Sequence, residues 1–398
     1  MPPNTGPRIS NRWRASPDMR IVPIASGKGG VGKSLVAANL SIALGQTGKR
    51  VVLADLDLGA SNLHVILGLP PPKTGIGTFL SGSSGAFESV IVETDYPNLR
   101  FVPGDAELPG LANIKPSQKN MLVKRLLSLD ADYLVLDLGA GTGSSILDFF
   151  LMSSQGLVVT TPALTATLNA YLFLKNAVFR LLYGSFGTKS KAYDYLESLR
   201  RDGATLQKAY VPDILERVAD IDPERHRVAV ERLGRFRPRL LLNMLEEPKD
   251  AEKAQKIRRS CQEYLTVKLE HLGILYRDDL QDVALASRIP IIKYKPQSVL
   301  SQAIFRTADK LVSTEDENDA PLSLAELEGS FQTAELEAES DFGVKLSYVE
   351  DLLNSGALTM GDLVETVKSQ QYEIDKLRRE NQFLKFKLAR AIGQGFAG

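Results

Sequence analysis

The sequence predicts an α/β fold, in which a mostly parallel sheet is flanked by helices and followed by a C-terminal helical, coiled-coil extension. Three observations lead to this prediction. Short apolar runs alternate with helix-length segments along most of the chain, and a glycine-rich loop joins the first run to a helix. Near the C-terminus, apolar residues recur at alternating intervals of three and four positions.

The apolar runs are the predicted strands. They occupy residues 21–25, 51–55, 99–103, 133–137, 157–161 and 239–243. Runs such as RLLLNM and YLVLDL are continuously apolar, which is typical of strands buried on both faces of a parallel sheet. We therefore expect one α/β domain over residues 19–313.

Two stretches interrupt the alternation and define the remaining segments. Residues 180–238 form a long, charged and predicted helical insertion between two strands. The whole chain has 48 acidic and 48 basic residues. Residues 314–398 hold 17 of the acidic and 8 of the basic residues, so this part is negatively charged. Residues 1–313 hold the other 31 acidic and 40 basic residues and are positively charged. This change of sign predicts a boundary. We expect an N-terminal arm (1–18), an acidic linker and helix (314–360), a coiled-coil helix (361–392) and a tail (393–398).

Composition excludes several classes of protein. Of the 398 residues, 43% are hydrophobic and 24% are charged, as in ordinary globular proteins. No apolar run approaches the roughly 20 residues of a membrane-spanning helix, and the N-terminus lacks the apolar core of a secretory signal. The single cysteine, Cys261, excludes a disulfide or a cysteine-based metal site within one chain. A cytoplasmic location is expected.

The glycine-rich loop carries the strongest functional signal. Residues 27–34, GKGGVGKS, fit the pattern G-x-x-x-x-G-K-[ST] and lie between a predicted strand and a predicted helix. Backbone N–H groups of such a loop surround phosphates, the lysine reaches the β and γ phosphates, and the hydroxyl ligates Mg²⁺. The candidate nucleotide-binding residues are Gly27, Gly29, Gly30, Val31, Gly32, Lys33 and Ser34.

Written as KGGVGKS, the loop resembles the deviant Walker A motif of the MinD/ParA family of P-loop ATPases. The stretches VVLADLDLGASNLHVILG and YLVLDLGAGTGSSILDFF are similar to the family's second strand and Walker B strand. The resemblance implies a Mg²⁺-dependent ATPase that forms ADP and phosphate, slowly without a partner, and that pairs two subunits around ATP.

The resemblance also implies roles for individual residues. Lys28 would reach across the dimer to the partner's nucleotide, and Asp57 would orient or activate the attacking water. Asp55 and Asp137, with Ser34, would hold Mg²⁺ and its water shell, and Asn243 would face the adenine.

Within the family, the sequence most resembles the flagellar-number regulators, FlhG (FleN). The switch DLGAG and the segment TTPALTATLNAYLFLK are similar to that branch. Two positions depart from its pattern: Tyr276 replaces a proline and Asn169 an aspartate. The N-terminal arm also lacks the branch's partner-activating motif, which weakens the assignment of a protein partner. The resemblance implies a spatial regulator that controls the position or number of a cellular structure.

Two alternative functions remain open at this stage. A ParA-type partition ATPase would bind DNA non-specifically through the six arginines of residues 225–239. A nucleotide-binding scaffold with little hydrolysis would rely on the insertion and the C-terminal coil instead.

The C-terminal repeat predicts a parallel, dimeric coiled coil. Val367, Ile374, Asn381 and Leu388 take the a positions, whereas Leu363, Leu377 and Leu384 take d positions. Glu373 with Arg378, and Glu380 with Lys385, then form complementary pairs between the helices. Phe383, Phe386 and nearby basic residues lie outside the seam. By resemblance to MinD and FlhG, they suggest contact with the inner membrane face, and a contact with a protein partner is the alternative.

Overall fold

The computed structural model describes residues 19–58, 61–83, 85–104, 114–201, 209–313, 324–354 and 360–393. The chain divides into two compact units, one ending at Asp341 and the other beginning at Phe342.

An eight-stranded sheet forms the centre of the first unit, in the order β3-β4-β2-β5-β1-β6-β7-β8. All neighbouring strands of this sheet are parallel except β3 and β4. The strands are β1 (Arg20–Ser26), β2 (Val51–Leu56), β3 (Val92–Glu93), β4 (Leu99–Val102), β5 (Tyr133–Ala140), β6 (Leu157–Thr160), β7 (Arg239–Leu245) and β8 (Glu270–Tyr276).

The predicted α/β fold is confirmed, and each of the six predicted runs is a strand. Two strands were not predicted from the sequence. β3 is only two residues long, and β8 (EHLGILY) contains a charged residue, a histidine and a glycine that obscure its apolar pattern.

Helices cover both faces of the sheet. Before the insertion they are α1 (Lys33–Gln46), α2 (Leu63–Ile66), α3 (Ile76–Leu80), α4 (Pro116–Leu127) and α5 (Ser144–Phe150). After β7 they are α10 (Glu252–Leu265), α11 (Leu280–Ala286), α12 (Ile291–Tyr294) and α13 (Val299–Ser313). Short 3₁₀ turns occupy Phe87–Val90 and Pro248–Ala251. Apolar side chains of α1, α13 and the central strands form one continuous core.

The insertion is helical in its described part. α6 (Leu164–Phe186) continues into it, followed by α7 (Lys191–Arg201), α8 (Val211–Ile221) and α9 (Pro223–Arg235). α9 packs against both α6 and α8, and α6 also packs against α10. The insertion is thereby joined to the sheet-covering helices through α6.

The first unit extends beyond the predicted boundary at residue 313. The next helix, α14 (Leu324–Asn354), buries Phe331, Ala334 and Ala338. The Tyr276 hydroxyl donates a hydrogen bond of 2.8 Å to the Ala338 carbonyl oxygen. Because these contacts attach the helix next to β8, the compact unit ends at Asp341 instead of Ser313.

The second unit contains the long helix α15 (Met360–Gly393). The sequence also predicts a helix stop at Gly356 and a helix N-cap at Thr359, and both positions lie outside the described residues. No helix in the described ranges combines the length and apolar character needed to cross a bilayer.

Candidate nucleotide-binding site

The glycine-rich loop lies between the end of β1 and the start of α1. Gly30 and Gly32 have φ values of 80° and 83°, in the left-handed region that glycine tolerates best. This conformation lets the backbone turn sharply into α1, whose first residue is Lys33. Loop N–H groups and the positive end of α1 therefore surround one small region of space.

Two glycines of the loop are packed too closely for any side chain. A Cβ atom at Gly27 would lie 2.0 Å from the Asn169 carbonyl oxygen on α6. A Cβ atom at Gly32 would lie 2.3 Å from the Asn243 Nδ2 atom. The loop is therefore held from two sides by elements far away in sequence.

Lys33 is buried and makes an ion pair with Asp137. Its Nζ atom lies 2.5 Å from Asp137 Oδ1 and 3.3 Å from Ser34 Oγ. Burial raises the pKa of Asp137, whereas the charge and hydrogen bond of Lys33 oppose that shift. Lys33, Ser34 and Asp137 thus form one polar cluster at the carboxyl ends of β1 and β5.

Asp55 lies beside this cluster on β2, in register with Asp137 on β5. Its carboxylate accepts hydrogen bonds from the Ser61 hydroxyl, at 2.7 Å, and from the Asp57 N–H, at 3.1 Å. Burial and the nearby charge of Asp137 raise the pKa of Asp55 to about 7. Two buried carboxylates side by side create a strongly negative environment that favours a cation.

Asp57 follows β2 and is partly exposed. Its Oδ1 atom would lie 3.3 Å from a Cβ atom placed on Gly139, so its carboxylate lies against the backbone of the switch. Asp57 therefore stands at the rim of the cluster, where water can reach it.

Lys28 and Asn243 contact different parts of the structure. Lys28 is exposed, and its Nζ atom donates a hydrogen bond of 3.3 Å to Thr165 Oγ1 at the start of α6. Asn243 is buried, and its amide donates a hydrogen bond of 2.9 Å to the Val31 carbonyl oxygen. Asn243 thus supports the loop in this structure, and its contact with adenine stays a prediction.

All predicted site residues lie at the same end of the sheet, although the Lys28 side chain contacts Thr165 and not the polar cluster. This end, outside the carboxyl ends of parallel strands, is where open α/β sheets bind ligands. The hydroxyl and carboxylate oxygens of Ser34, Asp55 and Asp137 are the hard donors that Mg²⁺ prefers. The donor set fits a hydrated Mg²⁺ beside nucleotide phosphates.

Sequence reasoning missed three residues that shape the site. Ser61 holds Asp55, Thr165 holds Lys28, and the Asn169 backbone supports Gly27. Ser61 lies two residues after the DLDLG stretch and could have been suspected from that position, whereas Thr165 and Asn169 meet the loop only through folding.

The arginines of residues 225–239 do not form one open basic surface. Arg237 and Arg239 are buried, and Arg239 makes an ion pair of 2.7 Å with Glu270. Arg232 and Arg235 line a cavity instead. The DNA-binding alternative is therefore not favoured.

Comparison with known proteins identifies the family of this chain. Residues 22–374 match the family model described as the CobQ/CobB/MinD/ParA nucleotide binding domain. The antiactivator FleN of Pseudomonas aeruginosa is 25% identical over 298 residues, which are 74% of this chain and 87% of FleN. The flagellum site-determining protein YlxH of Helicobacter pylori is 34% identical over 158 residues, which are 39% of this chain and 53% of YlxH.

A solved structure supports the fold. MinD of Pyrococcus horikoshii, solved in complex with Mg-ADP, superposes with a TM-score of 0.51 and 22% identity. The match covers 76% of this chain and 100% of that structure.

Proposed function

Because this chain belongs to the CobQ/CobB/MinD/ParA family of nucleotide-binding domains, we propose that it is an ATP-hydrolysing switch that acts as a spatial regulator. Its relatives FleN and YlxH are named as an antiactivator and a flagellum site-determining protein. The proposed role is control of the position or number of a cellular structure such as the flagellum.

One observation carries this proposal: the buried Lys33 and Asp137 and the half-buried Ser34 form a polar cluster directly beneath the glycine-rich loop. ATP phosphates in the loop would compete with Asp137 for the Lys33 ammonium. Released from Lys33, Asp137 would join Ser34 and Asp55 in holding Mg²⁺ and its water shell. Bound Mg²⁺ supplies charge neutralisation at the phosphates.

Asp57 is proposed to position the attacking water. Phosphoryl transfer depends mainly on placing water and cationic groups around a spreading negative charge. The Asp57 carboxylate is accessible at the rim of the cluster, and its N–H is bound to Asp55. Asp57 can therefore accept a hydrogen bond from water while its backbone stays anchored to the cluster.

Lys28 is proposed to act on the nucleotide of a second subunit. Its side chain is exposed and makes one weak hydrogen bond, to Thr165, so it can leave its present position at little cost. Two subunits meeting loop to loop would then be linked by ATP and by Lys28.

The second unit is proposed to join two chains through a parallel coiled coil. Val367, Ile374, Leu377 and Leu384 lie along the predicted seam of α15 and are 61%, 43%, 57% and 62% exposed. An exposed row of apolar side chains at heptad spacing favours pairing with an identical helix. Such a tether would raise the local concentration of the two ATPase units to the order of mM.

The outer face of α15 is proposed to contact the inner membrane face or a protein partner. Phe383 is exposed there, and Lys387 lies 4.5 Å from its ring centre. An aromatic ring next to a basic side chain suits the interface of an anionic membrane. The cytoplasmic location expected from the sequence stays a prediction.

Phosphate release from ATP by the full-length protein tests the proposal. We expect slow turnover with Mg²⁺ and none with EDTA. Absence of Mg²⁺-dependent turnover, even with liposomes present, would favour the scaffold alternative. ATP-dependent, salt-sensitive retention on DNA, without retention on anionic liposomes, would favour the partition ATPase.

A further inference from the structure

A half-open cavity of about 720 Å³ lies between α5, α6, α7 and α9. Its wall includes Ser153 and Ser154, which precede β6, and Phe236, which precedes β7. The cavity is therefore at the amino ends of these strands, opposite the loop of residues 27–34. Its volume falls in the range of about 300–1,000 Å³ that is typical of small-molecule sites.

The cavity is lined by more positive than negative side chains. Two carboxylates, Asp148 and Glu197, face four arginines: Arg180, Arg200, Arg232 and Arg235. Asp148 is bound by Arg180 through contacts of 2.6 and 3.1 Å, and also by Lys119 from outside the lining. Glu197 is paired with Arg200 at 3.1 Å. The carboxylates are therefore already neutralised by neighbouring cations.

Arg232 and Arg235 remain as the groups that can bind an anion. Within the described ranges, Arg232 makes no ion pair. A Cβ atom placed on Gly184 would lie 3.6 Å from its Nη1 atom, so the Arg232 guanidinium extends over α6 at the cavity wall. Among the residues that the structure describes, the ion-pair partner of Arg235 is the exposed Glu231, one helical turn away, at 2.8 Å. Exposed pairs of this kind are weak, so Arg235 can turn toward a ligand at little cost.

The rest of the lining suits a flat, partly apolar ligand. The rings of Tyr183 and Tyr193 pack edge to face, with centres 5.6 Å apart. Leu151, Leu181 and Phe236 add apolar surface beside them. Aromatic and apolar walls bind a planar base, whereas guanidinium groups bind phosphate oxygens through two parallel hydrogen bonds.

We propose that this cavity is a second binding site, for a nucleoside phosphate whose phosphate contacts Arg232 and Arg235 and whose base packs against the tyrosine rings. The site is independent of the ATP site and of the function proposed above. It gives a role to two exposed arginines of the insertion that line the cavity.

Titration of the full-length double variant Lys33→Ala, Asp137→Asn with ribose-labelled fluorescent AMP and GMP tests this proposal, because removing both members of the buried pair leaves no buried carboxylate without its counter-ion. A monophosphate lacks the β and γ phosphates that Lys33 would bind, and the loss of Lys33 weakens the first site further. We expect saturable binding that Arg232→Glu, added to this background, weakens at least 10-fold. Arg227→Glu is the matched control, because Arg227 is exposed on the same helix but does not line the cavity.

A cavity-filling variant separates the cavity from general charge effects. Gly184→Leu would place a side chain at the wall beside Arg232 without changing any charge, and it should also weaken binding at least 10-fold. In otherwise wild-type protein, Arg232→Glu and Gly184→Leu should leave ATP hydrolysis unchanged.

Four results would overturn the proposal. The first is the absence of saturable binding at millimolar probe, and the second is an equal loss of probe affinity in Arg227→Glu and Arg232→Glu. The third is unchanged probe affinity in Gly184→Leu. The fourth is that inorganic phosphate competes with the probe as effectively as the unlabelled nucleotide does. The last result would mean that the site recognises an anion alone and that the tyrosine rings contribute nothing.

Discussion

Lys33 Nζ lies 2.5 Å from Asp137 Oδ1, although the two residues are 104 positions apart in the chain. Both side chains are buried, with exposed fractions of 6% and 1%. The pair links the helix that follows the glycine-rich loop to the centre of the sheet, so the loop's cation also serves as the counter-ion of a core carboxylate.

Lys33→Ala should therefore weaken both nucleotide binding and folding. Removal of one partner leaves Asp137 buried without its counter-ion, which typically costs about 3–5 kcal/mol. In the double variant Lys33→Ala with Asp137→Asn, denaturant unfolding should show much of that stability regained, while nucleotide affinity stays low. Equal stability of the single and double variants would contradict the structural role of the pair.

Asp57→Ala should abolish ATP hydrolysis and preserve ATP binding. Asp57 is partly exposed and no buried counter-ion depends on it, so its removal should change stability by less than about 1 kcal/mol. Single-turnover hydrolysis and nucleotide titration on the same protein check this prediction. Hydrolysis at the unaltered rate would remove Asp57 from the mechanism.

Lys28→Ala should retain nucleotide binding but lose ATP-dependent pairing of the ATPase units. The measurement needs protein without the coiled coil, and we place the truncation after Asn354. A truncation at Ser313 would remove Phe331 and Ala338 from their buried positions. Light scattering should show an ATP-dependent dimer of the truncated wild type and a monomer of the truncated variant. A dimer of both proteins would refute action across the interface.

Full-length protein should be dimeric without nucleotide, whereas protein ending at Asn354 should be monomeric until ATP is added. Leu377→Asp, at a d position, should give monomers because it places a charge in the seam. Tyr372→Asp is the control, since Tyr372 is 75% exposed and lies outside the seam. Asn381→Ile should strengthen the coil but loosen its register or oligomeric state. A monomer mass for the full-length wild type at micromolar concentration would exclude the tether.

In His271→Leu, the free energy of unfolding should decrease less than in the wild type when the pH is lowered. Burial lowers the pKa of His271 to about 3, and neither ring nitrogen has a hydrogen-bond partner within the described ranges. Because an unfolded histidine has a pKa near 6.5, the unfolded state binds the proton first. The contribution of His271 to the free energy of unfolding is therefore complete above about pH 6.5. It decreases by about 1.4 kcal/mol for each pH unit as the pH falls from there toward 3.

The comparison of wild type with His271→Leu isolates this effect. Asp55, whose pKa is raised, acts in the opposite direction because acid favours its neutral buried form, but it contributes equally to both proteins. Urea unfolding at pH 7 and pH 5 should show a smaller loss in the variant. Equal losses would mean that His271 is protonated without cost.

The sequence predicted most of the sheet because parallel strands carry continuous apolar runs that need no knowledge of their neighbours. The sequence did not predict β8, because a glycine and a histidine interrupt its apolar pattern. Both residues fit their surroundings in the folded protein. Gly273 leaves little room for a side chain, since a Cβ atom there would lie 3.0 Å from Thr307 Oγ1, and the His271 ring packs against Phe331. In the sequence, Tyr276 is a departure from the branch's pattern, which has a proline at this position. In the structure its hydroxyl anchors α14, a relationship between residues 62 positions apart.

The sequence by itself determined the chemistry of the phosphate loop, because the glycines, lysine and serine that such a loop needs are consecutive residues with fixed local geometry. Only the tertiary structure decided that Asn243 supports this loop from 212 positions away, and that α14 completes the first unit. It alone also assembled the arginine-lined cavity, from four separate helices. These features arise from packing between segments that are distant in the sequence. The residue pattern of one segment does not indicate which other segment it will contact in the folded protein.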